Sequence, residues 1–398
     1  MVNLTGKNLV LGITGSIAVY KSAELVRHLK KVDAVVKVVM TANATRFVTP
    51  LTFETLSGNR VICDMFSRDG TSIDHVSLAQ ESDLIIIAPA TANFLAKMAH
   101  GLGDDFLSTF ILAATAKILI CPAMDKEMYS NQIVKANILS LKERGFIVME
   151  PEEGMLASGA IGIGRFPDPS AIMEVIGRLL TDHDLKGLKV LITAGPTIEY
   201  IDPVRIVTNR STGKMGYALA RSAWRRGAEV TLVTGPTHLD PPQGIQMIKV
   251  KTAEEMREAV LNNYRDRDVV IKAAAVSDYR PLRRAPEKEK RKKGPIKVEM
   301  VPTTDILAEL SKDKGDISLV GFAAETTDHI ANARDKMKDK NLDLVVVNDV
   351  SREDRGFAAD SNEVRMIDRK GNEEAVPLMS KEGVADRILD KIKGLRTE

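Results

Sequence analysis

A hydroxyl- and glycine-rich segment near the middle of the chain has the composition of a ligand-binding turn. Val207–Gly216 reads Val-Thr-Asn-Arg-Ser-Thr-Gly-Lys-Met-Gly and lies between the apolar run Val190–Gly195 and the helical pattern Tyr217–Arg226. Such a turn between strand and helix leaves backbone N–H groups free at the positive end of the helix dipole, where phosphate binds. A similar pattern, Leu9–Lys21, opens the chain. The pair predicts two ligand-binding domains.

The overall composition restricts the class of protein. A chain of 398 residues is long enough for two large domains, and 56 basic against 54 acidic residues leave a net charge of +2. This balance provides no field for nucleic acid or a membrane surface. No signal-peptide pattern begins the chain, and no apolar run approaches the ~20 residues of a membrane span. Cys63 and Cys121 are too few for a disulfide framework, so we expect reduced thiols and a cytoplasmic protein.

Apolar runs rich in Val, Ile and Leu alternate with amphipathic stretches, which is the βαβα order of a doubly wound sheet. The predicted strands of the first half are Leu9–Ile13, Val35–Met40, Leu84–Ala88 and Ile118–Cys121, with helices at Ala18–Lys31 and Ser130–Arg144. Those of the second half are Val190–Thr193, Glu229–Val233, Val269–Ala273, Ser318–Phe322 and Leu344–Val347. We therefore predict an α/β fold of two doubly wound, Rossmann-like, three-layer domains with mainly parallel sheets.

The domain boundary and one exceptional segment follow from composition. Helix Ser170–Leu180 is followed by polar residues and Gly187, so the predicted domains are residues 1–181 and 187–398. Residues 281–295 are dense in Lys and Arg between Pro and Gly, as in a mobile surface loop. Glu287 and Glu289 in this loop, and its lack of interleaved aromatic residues, argue against nucleic-acid binding.

Longer motifs carry a resemblance to known families. In the first half they are Asp74–Ala79, Ala88–Asp105, Pro122–Met124 and Gly154–Arg165. Together these segments resemble the homo-oligomeric, flavin-containing cysteine decarboxylases. The second half resembles phosphopantothenoylcysteine synthetase, and the fusion in this order resembles the bifunctional family of coenzyme A biosynthesis over essentially the whole chain.

The resemblance implies that the first domain binds FMN and converts phosphopantothenoylcysteine to 4′-phosphopantetheine. A flavin is needed because a plain carboxylate has no electron sink until the adjacent carbon is oxidised. The implied FMN contacts are Gly15, Ser16, Ile17, Thr41, Thr91, Ala92 and Asn93. His75 matches the family's catalytic histidine, and an imidazole titrates near the neutral pH at which it would transfer a proton.

Two residues depart from the family pattern. Asp125 stands where the family has asparagine, and Ser158 stands where it has the cysteine that donates a proton when the enethiol is reduced. A thiol is a far better acid than a serine hydroxyl. Two interpretations remain: a protein with both activities, or a ligase whose FMN-binding half serves assembly and does not decarboxylate.

The synthetase resemblance implies that CTP activates 4′-phosphopantothenate as an acyl-cytidylate, which the amine of cysteine then attacks. The implied CTP contacts are Ala273, Ala274, Asp278, Lys288, Thr304, Asp305, Ile306, Leu307, Phe322, Lys336 and Lys340. Asn209 matches the residue that holds the acyl intermediate. Asp278 suits the Mg²⁺ that bridges triphosphate oxygens, and Lys288 lies in the basic loop, where closure would bring charge to the phosphates.

The resemblance also implies the assembly and the partners. Flavin halves of this family form trimer-based shells and synthetase halves pair as dimers, so a homo-oligomer is expected. The expected partners are small-molecule substrates, with no nucleic acid and no membrane.

Overall fold

The chain forms two compact units, Met1–Thr181 and Asp182–Glu398. The computed structural model describes residues 4–65, 75–288, 290, 297–325, 329–349 and 359–397. Glu289 and residues 291–296, which belong to the predicted basic loop, therefore lie outside the described residues. None of the helices in the described part of the chain has the length and apolar character needed to cross a membrane.

The first unit is built on a parallel sheet in the order β2-β1-β3-β4-β5, beside a separate β6–β7 hairpin. Its strands are β1 (Asn8–Ile13), β2 (Val35–Met40), β3 (Leu84–Ala90), β4 (Lys117–Pro122), β5 (Ile147–Val148), β6 (Glu152–Met155) and β7 (Ile161–Arg165). Its helices are α1 (Val19–Lys31), α2 (Pro50–Ser57), α3 (His75–Glu81), α4 (Ala92–His100), α5 (Phe106–Leu112), α6 (Lys126–Ser130), α7 (Gln132–Glu143) and α8 (Pro169–Leu180).

Helices cover both faces of this sheet because its strands are apolar on both faces. In β1, Leu9 and Leu11 belong to one buried cluster, whereas Val10 between them belongs to the cluster on the opposite face. Successive residues of a strand point to opposite faces, so an uninterrupted apolar run requires cover on both sides. The chain turns from β1 to β2 on one side and reaches β3 on the other. The carboxyl ends of β1 and β3 thus define a switch point, where this class of fold binds ligands.

The helix predicted at Ser130–Arg144 forms as α7, but it begins two residues later than predicted, at Gln132. The chain forms α6 up to Ser130 and begins α7 at Gln132, with Asn131 between them in an extended conformation. The side chain of Asn131 accepts a hydrogen bond from the backbone N–H of Ile133 at 2.9 Å. Asparagine is favoured at this capping position, which explains why a new helix starts there.

The second unit has a larger sheet in the order β12-β11-β8-β13-β16-β17-β18-β19. Its strands are β8 (Lys189–Ala194), β9 (Ile198–Tyr200), β10 (Ile206–Thr208), β11 (Glu229–Thr234), β12 (Gln246–Lys249), β13 (Val269–Lys272), β14 (Tyr279–Pro281), β15 (Met300–Pro302), β16 (Ser318–Glu325), β17 (Leu344–Asp349), β18 (Ser361–Asp368) and β19 (Glu373–Ser380). Its helices are α9 (Lys214–Arg225), α10 (Ala253–Leu261), α11 (Ile306–Leu310), α12 (His329–Asp339) and α13 (Lys381–Thr397).

The parallel part of this sheet has its switch point between β8 and β13, because β8 leads to β11 on one side and β13 pairs on the other. At the far edge, β18 and β19 are antiparallel to their neighbours. These two strands and the short pairs β9–β10 and β14–β15 are not predicted by the sequence pattern. Pro281, assigned above to the basic loop, is the last residue of β14. The fold class is confirmed: both units are α/β with mainly parallel sheets.

Candidate functional sites

A cleft of about 450 Å³ opens at the switch point of the first unit. Three loops that follow β1, β2 and β3, together with the segment after β4, form its walls. The lining includes Gly15, Ser16, Thr41, Thr91, Ala92 and Asn93 of the expected FMN contacts. Ile17 does not line the cleft, and its side chain is 57% exposed. The rest of the lining was not among the FMN contacts expected from the sequence. It consists of Thr14, Ala42, Asn43, Phe94, Lys97, Asp105, Ala123, Met124 and Met128.

Hydroxyl groups tie these loops to one another. The buried Thr14 hydroxyl donates to the carbonyl of Pro89 at 2.7 Å and accepts from the backbone N–H of Thr91 at 3.0 Å. Thr91 caps α4 by accepting from the N–H of Phe94 at 3.4 Å. The first turn of α4 therefore begins in the cleft wall, with the positive end of its dipole at the cleft.

Close approach of two loops explains the glycine at position 15. A Cβ atom on Gly15 would lie 2.5 Å from the Cβ atom of Asn43, far inside van der Waals contact. Gly15 therefore lets the β1–α1 loop contact the β2 loop directly. The narrow floor of hydroxyl and amide groups that results is suited to a phosphate group.

One wall of the cleft carries a half-buried lysine between two acids. Lys97 Nζ lies 2.6 Å from a carboxylate oxygen of Asp104 and 3.0 Å from one of Asp105. Burial lowers the pKa of Lys97, but hydrogen bonds to both acids outweigh that effect and hold its pKa above the ordinary value. Lys97 is therefore charged at neutral pH, and Asp104 and Asp105 compensate its charge within the wall.

The two departures from the family pattern lie in contact. The hydroxyl of Ser158, at the turn of the β6–β7 hairpin, donates a 2.7 Å hydrogen bond to the carboxylate of Asp125. This bond lowers the pKa of the Asp125 carboxyl, as does the backbone N–H of Glu127, which Asp125 caps. Asp125 is therefore ionised at neutral pH and paired with a neutral partner. Its place is next to the cleft-lining Met124.

The β6–β7 hairpin is also attached to this loop through the backbone. The N–H of Met124 donates to the carbonyl of Gly164 at 3.0 Å. A Cβ atom on Gly164, whose φ is 150°, would lie 2.3 Å from the carbonyl oxygen of Met124. Glycine at this position allows the hairpin to pack directly against the backbone of the cleft-lining Met124.

His75 is not among the residues that line the cleft. It begins α3 and is partly buried, with its ring edge-on to the ring of Phe106 at a centroid distance of 6.5 Å. Phe106 directly follows the cleft-lining Asp105. The structure thus brings His75 to the neighbourhood of the cleft through α5.

In the second unit, Asn209 lies at the switch point of the sheet. Its side-chain N–H donates to the carbonyl of Ala275 at 2.9 Å, immediately after the expected contacts Ala273 and Ala274. The loops after β8 and β13 are joined here, since the N–H of Ala275 donates to the carbonyl of Gly195 at 3.0 Å. The segment Val207–Gly216 therefore reaches the carboxyl ends of the two central strands, β8 and β13.

The glycines of this segment serve close packing. A Cβ atom on Gly213, which has φ of 79°, would lie 3.3 Å from the Cα atom of Gly195 and 2.7 Å from Thr237 Cγ2. One on Gly216 would lie 2.5 Å from the Cβ atom of Ala194. These contacts seat the N-terminus of α9 against the end of β8, the arrangement that directs helix N–H groups toward a bound anion.

A second group of expected residues meets where α11 and α12 cover the sheet. Asp305 caps α11 by accepting from the N–H groups of Leu307 at 3.0 Å and Ala308 at 3.2 Å. Lys340 pairs with Asp305 at 2.5 Å, and Lys336 donates to the carbonyl of Phe322 at 2.8 Å. The structure thus brings Asp305, Phe322, Lys336 and Lys340 together, with Ile306 and Leu307 buried behind them.

Three other expected residues of this unit are exposed. Asp278 and Thr304 are exposed, and the carbonyl of Asp278 accepts from the N–H of Thr303 at 2.8 Å. Lys288 is exposed, and among the described residues no hydrogen bond or ion pair joins it to the group. The described residues contain no cluster of three His, Cys, Asp or Glu side chains that would hold a metal ion.

Comparisons with known proteins agree with this division into two units. The flavoprotein family model matches residues 2–181, and the model of the DNA/pantothenate metabolism flavoprotein C-terminal domain matches residues 185–395. The coenzyme A biosynthesis bifunctional protein CoaBC of Bacillus subtilis is 47% identical over 397 residues, which are 98% of this chain and 98% of that protein. The corresponding protein of Escherichia coli is 40% identical over 397 residues, 98% of each chain.

A solved structure also matches. The C-terminal domain of a coenzyme A biosynthesis bifunctional protein CoaBC is 42% identical and covers 54% of this chain and 98% of that one, with a TM-score of 0.47.

The fold and the two sites define a two-part α/β enzyme in which a flavoprotein half precedes a pantothenate-metabolism half. The chain belongs to the family of the coenzyme A biosynthesis bifunctional proteins. It is a bifunctional enzyme with a decarboxylase half and a phosphopantothenate–cysteine ligase half. The full-length similarity favours two activities over a ligase with a flavin half that does not decarboxylate.

Proposed function

We propose that the cleft of the first unit binds FMN and that Gly15, Ser16, Thr41, Thr91, Ala92 and Asn93 are its contacts. The support is chemical: this lining combines hydroxyl groups with the N-terminus of α4, which is the donor set for a flavin phosphate. Bound FMN would supply the electron acceptor that oxidation of the cysteine moiety requires. His75 would transfer a proton in this half, and the Asp125–Ser158 pair would lie beside the substrate.

We propose further that the second unit ligates cysteine to 4′-phosphopantothenate through an acyl-cytidylate formed from CTP and Mg²⁺. Pyrophosphate leaves as the carboxylate joins the cytidylyl group, and the amine of cysteine then displaces the cytidylate. Lys336 and Lys340 are the groups that would bind the triphosphate. Asp278 would hold Mg²⁺, and Lys288 would approach the phosphates from its loop.

The observation that carries this proposal is the hydrogen bond from Asn209 to the carbonyl of Ala275. Asn209 uses its amide N–H for this bond, and the amide oxygen of the same side chain is a hydrogen-bond acceptor. A neutral acceptor fixed at the switch point suits the amine of cysteine or the acyl intermediate, because it holds either without adding charge.

The test follows both half-reactions in the full chain. The protein is supplied with 4′-phosphopantothenate, cysteine labelled at its carboxyl carbon, CTP and Mg²⁺, and pyrophosphate and labelled carbon dioxide are measured over time. We expect pyrophosphate release to precede carbon dioxide release, with ATP a poorer substrate than CTP. Pyrophosphate released no faster with CTP than with ATP, or no carbon dioxide at all, would contradict the proposal.

We also propose that the protein is a cytoplasmic homo-oligomer, trimeric through the flavin half and dimeric through the ligase half. Large apolar side chains are exposed on the first unit, including Leu51 at 68%, Ile133 at 72% and Ile161 at 70%, as expected of surfaces that meet other copies. Cys63 and Cys121 are free thiols, which suits a reducing compartment. Light scattering of the purified chain would measure the assembly directly.

A further inference from the structure

Lys272 ends the central strand β13 on the face that α11 and α12 cover. Val270, two residues earlier, belongs to the buried cluster that contains Ile306, Leu307 and Met337. Because residues two apart in a strand share a face, the Lys272 side chain enters the same layer. Lys272 is half-buried there, which is unusual for a lysine without a partner at the end of an otherwise apolar strand.

The charged groups around Lys272 are two lysines and two acids. Asp305, Lys336, Lys340 and Asp278 all act on it electrostatically. The carboxylate of Asp305 is already paired with Lys340 at 2.5 Å and caps α11. Within the described residues the side chain of Lys272 forms no hydrogen bond and no ion pair. The cluster therefore holds more positive than negative charge, and Lys272 is its unpaired member.

In the protein without a ligand, the surroundings of Lys272 favour its neutral form. Burial lowers the pKa of Lys272 to about 8, and the neighbouring Lys336 and Lys340 lower it too, against the opposing attraction of Asp305 and Asp278. A bound polyanion would reverse this balance, because it supplies the missing negative charge and favours the protonated ammonium.

We propose that Lys272 is a further residue of the ligase site, which binds the phosphate groups of the nucleoside triphosphate together with Lys336 and Lys340 and takes up a proton as it does so. The inference rests on the proposed nucleotide site of the second unit. A phosphate-loop pattern in the sequence does not include Lys272, because Lys272 belongs to a strand and not to a loop.

The first test is nucleotide affinity. CTP binding to the full chain is measured by isothermal titration calorimetry at pH 7 in the presence of Mg²⁺, for wild type, Lys272→Met and Lys272→Arg. Methionine matches the length of lysine without its charge, so we expect binding to weaken about 10- to 100-fold, as for the loss of a hydrogen bond to a charged group. Arginine should keep most of the affinity. Lys338→Met, an exposed residue of α12 between Lys336 and Lys340, is the matched control and should bind as wild type does.

The second test is proton uptake. At pH 9, about 90% of a lysine with a pKa near 8 is neutral, whereas at pH 7 about 90% is already charged. CTP binding to wild type should therefore take up close to one proton per chain at pH 9 but only about 0.1 proton at pH 7. The uptake is measured from the heat of binding in buffers of different ionisation enthalpy. The nucleotide phosphates, with a last pKa near ~6, are fully ionised at pH 9 and contribute none. Lys381, whose pKa burial also lowers to about 8, is the same in both proteins, so the difference between wild type and Lys272→Met belongs to Lys272.

The outcomes separate this inference from the proposed function. If wild type does not bind CTP, the nucleotide site itself is wrong. If wild type binds CTP and Lys272→Met binds it equally well with the same proton uptake, the site stands and the role of Lys272 is overturned. If the methionine variant has lower thermal stability, the arginine variant decides: it keeps affinity at pH 7 but loses the proton uptake at pH 9, since its guanidinium does not titrate there.

Discussion

The hydroxyl of Ser158 donates its hydrogen bond to Asp125, so the two residues that depart from the family pattern act on each other. The pair holds an ionised carboxylate next to a neutral hydroxyl at the turn of the β6–β7 hairpin. A cysteine and an asparagine in the same positions would offer an acidic thiol beside a neutral amide. The departures therefore change the proton chemistry of the site as a unit.

The first prediction concerns the proton donor of the decarboxylase half. Ser158→Cys should raise turnover to 4′-phosphopantetheine up to about 100-fold, the lower part of the range for a positioned general acid. The Asp125 carboxylate raises the pKa of a neighbouring thiol, so the new cysteine stays protonated and able to donate. Product and oxidised intermediate are measured by mass spectrometry. Ser158→Ala is the control, and equal rates in all three proteins would remove this position from proton transfer.

The second prediction concerns His75, which packs against Phe106 beside the cleft. His75→Asn should abolish release of carbon dioxide while it leaves ligation of cysteine unchanged, because the ligase residues lie in the other unit. His100→Asn, at the exposed end of α4, is the matched control. Carbon dioxide release that persists in His75→Asn would exclude this histidine from the reaction.

The third prediction tests the narrow floor of the flavin cleft. Gly15→Ala introduces a methyl group 2.5 Å from the Cβ atom of Asn43. The two loops must separate, at a cost of about 1–3 kcal/mol, and flavin absorbance of the purified protein should fall. Asn43→Gly removes the Cβ atom with which the new methyl group collides. The double variant with Gly15→Ala and Asn43→Gly should therefore recover part of the bound flavin. No recovery would mean that Gly15 acts through backbone conformation.

The fourth prediction separates two steps of ligation. Lys288→Ala should suppress pyrophosphate release, whereas Asn209→Ala should allow release and let the acyl-cytidylate accumulate. Loss of a charge-assisted contact in a closed site costs roughly 10²–10³ in rate, which quenched-flow measurement resolves. Lys290→Ala, in the same loop, is the control. If both variants stop before pyrophosphate release, Asn209 acts in activation as well.

The fifth prediction concerns stability against pH. Hydrogen bonds from Arg226 and Lys393 lower the pKa of Asp184 to about 2 from an ordinary value of 3.8. A carboxyl whose folded pKa is depressed stabilises the fold above its unfolded pKa and loses that effect as pH falls through the folded pKa. Because water screens a partly exposed ion pair, Asp184→Asn should lower the free energy of unfolding by about 1 kcal/mol at pH 7, and by progressively less between pH 4 and pH 2.

The measurement for Asp184 uses the fluorescence of Trp224, the single tryptophan of the chain, which lies in α9 of the same unit. Urea unfolding is followed at pH 7 and at pH 3. The exposed Asp182→Asn is the control and should not shift the midpoint. A difference between wild type and Asp184→Asn that does not shrink toward pH 3 would show that packing, and not the ion pair, is lost.

The sequence by itself determined the class of fold, because uninterrupted apolar strands such as Leu84–Ala90 need cover on both faces and so require helices around a parallel sheet. It also indicated the loops of the flavin cleft through Gly15, Thr41 and Thr91, since this class of sheet binds ligands where parallel strands end.

Only the tertiary structure decided which side chains from distant segments meet. The bond between Ser158 and Asp125 joins residues 33 positions apart, and that between Asn209 and Ala275 spans 66. Local pattern carries no information on such contacts, because they depend on how hairpins and loops dock once the sheet has formed. Lys272 shows the same limit: a strand pattern marks it as an exception, but its neighbours Asp305 and Lys336 lie on elements that only packing brings to it.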